Sequence, residues 1–281
     1  MVNIDTKGEN MASLFFYKRS PEISMFDTVY FNDNEIDFDR IIELLKTSES
    51  KYNEDKVYDS EGYAQIKFDE VSKMLSCMYI FKNTLGQYTE NRYDVEKEKM
   101  VTIREPYFYF GSCRVSITSD LNIIVKANYS SEESSKSKCL ELLNEKGIEV
   151  RPIKLTNEVF QHIRDNYEWK KIKIQKIEIE GDSTKKVSYE IDPASDKKSD
   201  VDLMYKDSGV YEHVTFHLEF KEDKYVVKLY KERNKISIDE SQFKTPEELD
   251  AFSVHLLELI SDIKKAANEL EEDSESKKEE D

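Results

Sequence analysis

The spacing of apolar residues predicts a mixture of helices and strands in the first part of the chain. Residues 36–46 have apolar side chains at helical spacing. Intervals of three and four residues between the apolar side chains of residues 68–81 predict a second, amphipathic helix that faces the core. A hairpin turn at residues 96–99 is predicted next, followed by strands at residues 101–104 and 106–111.

The pattern is clearest in residues 113–167. Alternating apolar positions predict a hairpin of two strands there. A helix is expected to begin at Ser130 or Ser131 and to end at Gly147, because glycine readily adopts the left-handed conformation that closes a helix. A further strand and a helix capped by Thr156 complete a predicted β-β-α-β-α core.

The last third of the chain combines strands with one long helix. From Trp169 onward, short alternating segments predict an antiparallel β-meander, with a bulge near Gln175 or Lys176. Thr245, Pro246 and Glu248 form a capping signal, because the Thr hydroxyl and the Glu carboxylate can accept from free N–H groups of the first turn. The meander is therefore predicted to be closed by a long C-terminal helix.

The apolar stripe of this helix allows two interpretations. Its spacing is heptad-like and predicts a possible homodimer seam, whose contact candidates are Leu249, Phe252, Leu256, Ile260 and Ile263. The alternative is that the stripe packs on the preceding sheet, which requires the same pattern.

Together these elements predict an α+β protein with a mixed N-terminal region, a β-meander and a closing helix. The expected divisions are a flexible segment at 1–12, an α+β domain at 13–167 and a second domain at 168–270. A disordered acidic tail is expected at 271–281, where seven acids and two lysines occur without any apolar residue.

Composition narrows the class of protein. The 281 residues include 59 acids and 42 Lys or Arg, for a net charge of −17. No apolar run approaches the length of a membrane span, and no leader peptide is recognisable, so a cytoplasmic protein is expected. Three widely spaced cysteines fit a reducing compartment and are expected to be buried, inert side chains.

One stretch reverses the negative charge. Residues 151–176 contain seven basic residues and three acids, together with aromatic side chains. Basic residues interleaved with aromatics are typical of nucleic-acid interfaces, although a solvated strand face looks the same. The candidate nucleic-acid-binding residues are Arg151, Lys154, Trp169, Lys170, Lys171, Lys173 and Lys176.

Most enzymatic motifs are missing. The seven glycines are too far apart for a dinucleotide or phosphate loop, and neither histidine nor cysteine spacing indicates a zinc site. No cofactor or metal is therefore expected. A single exception is Glu219-Phe220-Lys221, which matches the E-x-K element of restriction-endonuclease-like nucleases, with Asp200, Asp202 and Asp207 as upstream acids.

These patterns lead to three hypotheses. The first is a non-enzymatic cytosolic protein that binds or regulates another protein, and base rates alone suggest protein inhibition or host–parasite conflict as its setting. The second is a nucleic-acid-associated protein that uses residues 151–176. The third is a Mg²⁺-dependent nuclease that uses Glu219 and Lys221.

Overall fold

The computed structural model describes residues 11–20, 30–32, 35–128, 132–175, 188–191, 200 and 209–279, without the side chains of residues 134 and 268–279. The protein is α+β, with extensive antiparallel sheet, and the last of four α-helices in the described residues is C-terminal. No helix within these ranges is long and apolar enough to cross a membrane.

The helices and strands are numbered in chain order. The strands are β1 (Met11–Arg19), β2 (Phe31–Asn32), β3 (Glu35–Ile36), β4 (Gly62–Asp69), β5 (Met74–Asp94), β6 (Lys99–Ile117), β7 (Asn122–Ala127), β8 (Val150–Pro152), β9 (Trp169–Gln175), β10 (Ser188–Ile191), β11 (Val210–Phe220), β12 (Asp223–Tyr230) and β13 (Lys235–Asp239). The helices are α1 (Phe38–Lys46), α2 (Lys138–Glu145), α3 (Asn157–Asn166) and α4 (Pro246–Glu279).

The chain divides into two compact units. Unit 1 comprises Met1–Lys18 and Arg151–Asp281, and unit 2 comprises Arg19–Val150. Unit 1 is thus built from two separate stretches of sequence, whereas unit 2 is continuous. The sequence prediction instead divides the chain after residue 167.

Unit 1 is built on an antiparallel sheet with the strand order β10-β9-β11-β12-β13-β1. On β11 the side chains of Val214, Phe216 and Leu218 are buried, as the alternating pattern predicts. The pairing of β9 with β11 shifts register after Tyr211 and after Thr215. The bulge is predicted near Gln175 or Lys176. Gln175 ends β9 and pairs with Ser188 and Val210, while Lys176 lies outside the described residues.

Helix α4 begins at the predicted cap. The Thr245 Oγ1 accepts a hydrogen bond from the Glu248 N–H at 3.2 Å. The Glu248 carboxylate accepts from the Lys244 N–H at 2.6 Å and from the Tyr225 hydroxyl at 2.8 Å. These hydrogen bonds stabilise the ionised form and lower the pKa of Glu248. The cap therefore also anchors the helix to β12.

Replacing Glu248 with alanine is expected to lower the melting temperature at pH 7, because both hydrogen bonds to the carboxylate are lost. The folded-state pKa of Glu248 lies below its unfolded value, so its contribution is complete above the unfolded pKa and is lost as the pH falls through the folded pKa. The difference from wild type should therefore shrink in acid. Thermal unfolding followed by circular dichroism at pH 7 and pH 3 tests this, with exposed Glu258→Ala as the control. An equal difference at both pH values would contradict it.

The apolar stripe of α4 is buried within the chain itself. Each of its five dimer-contact candidates is at most 5% exposed. The Phe252 ring lies 5.0–5.7 Å from the rings of Phe220, Tyr225 and Phe243. This burial favours the interpretation in which α4 covers the sheet of its own unit, and dimerisation through the stripe stays a prediction.

The C-terminal end of α4 differs from expectation. Its backbone continues through Glu279, into the segment for which a disordered acidic tail is predicted. Glu and Lys are good helix formers, so the lack of apolar residues in this segment does not by itself set the end of the helix. Residues 280 and 281 lie outside the described residues.

Unit 2 contains an antiparallel sheet with the strand order β7-β6-β5-β4. The amphipathic helix predicted for residues 68–81 is wrong. Residues 68–81 form no helix. They comprise the end of β4, a turn and the start of β5. The Asp69 carboxylate accepts from the Val71 N–H in the turn, where Lys73 has a φ of +50°. Apolar side chains occur on both faces of β5, and together they imitate helical spacing.

The other elements largely follow the pattern. Helix α2 is shorter than predicted and follows a 3₁₀ turn at Glu133–Lys136; the candidate caps Ser130 and Ser131 lie outside the described residues. Gly147 has a φ of +82°, consistent with its predicted role in ending this helix. Helix α3 begins directly after Thr156, as predicted. All three cysteines are buried and free.

Candidate protein-binding surface

A long two-stranded ribbon is the most distinctive feature of unit 2. Strand β5 pairs with β4 only up to Ile80, and β6 pairs with β7 only from Arg114 onward. Residues 82–94 and 99–110 pair only with each other among the described strands. We call this segment the ribbon. At about 3.4 Å per residue, it extends for roughly 40 Å.

The tip of the ribbon is closed by a tight turn. The Asp94 Oδ1 accepts from the N–H groups of Glu96 and Lys97, both at 3.1 Å. The Lys97 ammonium donates to the same carboxylate at 2.9 Å and is the main cause of the lowered pKa of Asp94. Glu98 completes the turn with a φ of +46°. These local contacts set the register of the two strands.

A bulge interrupts the ribbon near its base. Leu85 and Gly86 of β5 together face Tyr107 of β6, so β5 has one extra residue. Gly86 has a φ of +117°, a conformation that side chains disfavour. A bulge of this kind bends the strand and increases its twist.

Exposed apolar side chains are concentrated on the ribbon and its turn. Ten large apolar or aromatic side chains are notably exposed among the described residues, and seven of them lie here. They are Leu85, Tyr88, Tyr93, Val95, Met100, Tyr107 and Phe108. An isolated two-stranded hairpin is only marginally stable, and exposed apolar clusters typically mark interaction surfaces. The ribbon is therefore the best candidate functional site.

The cross-strand pairs divide the ribbon into two faces, because directly opposed residues point to the same side. One face carries aromatic, apolar and basic side chains together with uncharged polar ones such as Thr89 and Asn91, and no acid of the described ribbon strands shares it. We call it the aromatic face; its main members are Lys82, Tyr93, Met100, Arg104, Phe108 and Phe110. The Lys82 ammonium lies 3.7 Å from the centre of the Phe108 ring.

The opposite face is different because its charges are paired. The Arg92 guanidinium contacts Glu90 at 2.7 Å and Glu105 at 3.2 Å, and these acids raise its pKa. The Tyr88 hydroxyl donates to the Glu105 carboxylate at 3.2 Å, and the Tyr88 ring packs edge-on against the Tyr107 ring. Arg92, Glu90 and Glu105 are thus paired with one another, whereas no acid of the ribbon strands shares the aromatic face with Lys82 and Arg104. The acid beside Lys82 is Glu61, which accepts from the Lys82 N–H at 2.8 Å and pairs with Lys138.

The predicted nucleic-acid-binding residues do not form a continuous cationic band. The Lys171 ammonium forms an ion pair with Glu190, and the Lys173 ammonium contacts Glu212 at 2.9 Å. Each pair joins β9 to a neighbouring strand, so two of the expected charges are neutralised. Nucleic-acid binding stays a prediction.

The other members of this set are scattered. Arg151, Lys154 and Lys170 are exposed, and Trp169 is half-buried at the start of β9. Lys154 borders a cleft beside α3, and neither Lys171 nor Lys173 lines that cleft. Lys176 lies outside the described residues.

The nuclease candidates lack the expected arrangement. The Glu219 side chain is 77% exposed and lies 3.7 Å from the Lys224 ammonium. Strand β11 ends at Phe220, so Lys221 lies in the following turn, with a φ of +48°, rather than beside Glu219 on the strand. The two side chains therefore do not share one strand face as the E-x-K element requires, and the nuclease hypothesis stays a prediction.

The upstream acids do not change this result. Asp200 is exposed, while Asp202 and Asp207 lie outside the described residues. Within the described ranges, no cluster of three or more His, Cys, Asp or Glu residues could hold a metal ion.

The ribbon was not identified as a binding site from the sequence. Its aromatic residues alternate with Thr, Asn, Gln and charged residues, so neither face shows a continuous apolar pattern. The available signal was the density of Tyr and Thr, which favour strands. Searches against protein-family models and against curated proteins found no match.

Proposed function

We propose that this is a non-enzymatic binding protein that uses the aromatic face of the ribbon to bind an extended segment of another protein. The concentration of exposed apolar side chains on this one ribbon carries the proposal, and three of the seven lie on the aromatic face. Tyr93, Met100 and Phe108 would supply the apolar contact area, since aromatic and Met side chains are enriched where proteins bind one another.

The charges indicate the chemistry of the partner. Lys82 and Arg104 place positive charge on the aromatic face without a neighbouring acid on that face. The outer edges of the ribbon also carry main-chain N–H and C=O groups that no described strand pairs. A partner segment with alternating apolar and acidic side chains would match both features, because it could add as a strand and place its carboxylates beside the two cations.

A second copy of the chain matches this surface less well. Two aromatic faces related by a two-fold axis would bring the cations of one copy toward those of the other. Two chains of net charge −17 would also repel one another. A different protein is therefore the favoured occupant.

We expect ten-residue peptides in which Glu alternates with Val or Phe to bind the protein at low salt. Phe108→Ser should weaken this binding at least about tenfold, because an aromatic contact at the centre of an interface often contributes about 2 kcal/mol or more. Arg104→Glu should produce a similar loss and should improve binding of the same peptides with Lys in place of Glu. Fluorescence anisotropy of labelled peptides measures each affinity.

Tyr107→Ser is the matched control, because Tyr107 neighbours Phe108 and is exposed but points to the opposite face. Its affinity for the Glu peptides should stay near wild type. Equal binding of the Glu and Lys peptides, or binding unaffected by both Phe108→Ser and Arg104→Glu, would reject the proposal. If light scattering shows twice the chain mass for wild type and the single chain mass for Phe108→Ser, the occupant is instead a second copy of the chain.

We also propose a finer order of secondary-structure elements and a location in the cell. We infer a β-β-α-β-α core in residues 113–167 followed by a meander, and action in the cytoplasm. The strand order of unit 1 and the three free cysteines support these inferences.

A further inference from the structure

An open cleft in unit 1 lies beside the beginning of α3. Its volume is about 430 Å³, within the range of small-molecule sites. Six of its seven lining residues are of polar or charged type, namely Lys154, Thr156, Asn157, Glu158, Lys231 and Asn234. The cleft is far in sequence from the ribbon, which belongs to unit 2.

Two lysine side chains form hydrogen bonds with residues that line this cleft. The Lys231 ammonium donates to the Asn157 Oδ1 at 2.7 Å. The Lys264 ammonium, which comes from α4, donates to the main-chain carbonyl of Lys154 at 2.9 Å. An ammonium has three N–H donors, so each of these bonds leaves capacity for a ligand. Holding both groups in place lowers the entropy that a ligand must remove.

The cluster contains more positive than negative charge. Lys18, Lys154, Lys231 and Lys264 act on the same region as a single acid, Glu158. Burial lowers the pKa of Lys231, and burial together with the charges of Lys18 and Lys154 lowers the pKa of Lys264. Burial therefore destabilises the charged forms of both lysines, repulsion by Lys18 and Lys154 adds to this at Lys264, and a bound anion would offset both effects.

Glu158 offsets this positive charge only in part. A hydrogen bond with the Thr156 side chain and the nearby Lys231 and Lys264 lower the pKa of its carboxyl group, so it stays ionised at neutral pH. It can neutralise one lysine of the four. A dianion would compensate the remaining charge more completely than a monoanion.

We propose that this cleft binds a small anion of the phosphate class. Lysine binds phosphate as a point charge, and the tetrahedral oxygens can accept from several ammonium groups at once. The exposed side of the cleft would allow a phosphorylated small molecule to enter with its phosphate among the lysines. Asn157 and Asn234 would flank the rest of the ligand.

Titration with pyrophosphate, and separately with inorganic phosphate, tests the proposal by isothermal calorimetry at low ionic strength. Wild type should show saturable binding at one site. Lys231→Gln and Lys264→Gln should each weaken it about tenfold, because each removes a charged donor. Lys265→Gln is the matched control, since Lys265 neighbours Lys264 but is 75% exposed and pairs with Asp262.

Thermal unfolding checks that the variants fold. Removal of Lys264 should not lower the melting temperature greatly, because its charge is repelled by Lys18 and Lys154. The two tests also remain separable, since binding of pyrophosphate does not involve the ribbon. Absence of saturable binding to wild type, or an equal loss of affinity in all three variants, would overturn the proposal.

Discussion

Replacing Phe252 with alanine is expected to lower the free energy of unfolding by about 3–5 kcal/mol. Phe252 is fully buried, and its ring contacts three other aromatic rings where α4 meets β11, β12 and the segment before the helix. The large loss follows because truncation removes the transfer free energy of the ring and leaves a cavity among rigid neighbours. Urea unfolding followed by circular dichroism measures it.

The same experiment separates the two interpretations of the α4 stripe. If Phe252 packs within its own chain, the unfolding midpoints of wild type and variant should not depend on protein concentration. A dimer seam would make stability depend on concentration, because association stabilises the folded state by mass action. Glu258→Ala, at an exposed position on the same helix, should change the free energy of unfolding by less than about 0.5 kcal/mol.

Replacing Gly62 with alanine is expected to be nearly as damaging in unit 2. Gly62 has a φ of +144°, and an added Cβ would lie 2.2 Å from the Ser48 carbonyl oxygen and 2.8 Å from the Ser50 nitrogen. These main-chain groups already bond to Tyr63, with the Ser48 carbonyl accepting from its N–H and the Ser50 N–H donating to its carbonyl. The chain must therefore shift and weaken both bonds, in addition to the backbone strain, for a total of about 3 kcal/mol.

Gly86→Ala is the matched control for this substitution. Gly86 also has a positive φ, of +117°, but an added Cβ would meet nothing within 4 Å. Gly86→Ala should therefore lower the free energy of unfolding through backbone strain alone, by about 1–2 kcal/mol. Differential scanning calorimetry of both variants measures the contrast. Equal losses would show that the predicted contact with Ser48 and Ser50 contributes nothing.

Local signals made the start of the C-terminal helix predictable. The Thr245 hydroxyl, the ring of Pro246 and the Glu248 carboxylate act within four residues of one another, so the sequence contains the whole cap. The turns at residues 96–99 and at Gly147 were predictable for the same reason. Each depends on the backbone preference of residues within the turn itself.

The strands of residues 68–94 were harder to predict because their neighbours lie elsewhere in the chain. The first half of β5 is paired on both sides, so apolar residues occur at successive positions and resemble a helical stripe. The second half is exposed on both faces and lacks any apolar alternation. In neither half do apolar and polar residue types alternate along the sequence, which is the pattern that identifies a half-buried strand.

Charge counting along the sequence could not show which lysines of the candidate nucleic-acid site are paired. Lys173 appears unpaired within its own segment, but its partner Glu212 is 39 residues away and lies on the adjacent strand. Such pairs depend on strand order, which the sequence did not reveal. Lys231 and Lys264 illustrate the converse, because the fold gathers lysines that are widely separated in sequence.

The division of unit 1 between two stretches of sequence has a consequence for synthesis on the ribosome. Strand β1, with six buried residues, also pairs with β8, but its pairing with β13 must wait until that strand is made, about 220 residues later. At about 5–20 residues per second, this delay is roughly 10–40 s. Unit 2 is continuous and is complete long before then. We therefore expect unit 2 to fold first, while the edge of β1 that pairs with β13 stays open to chaperones until that strand has been made.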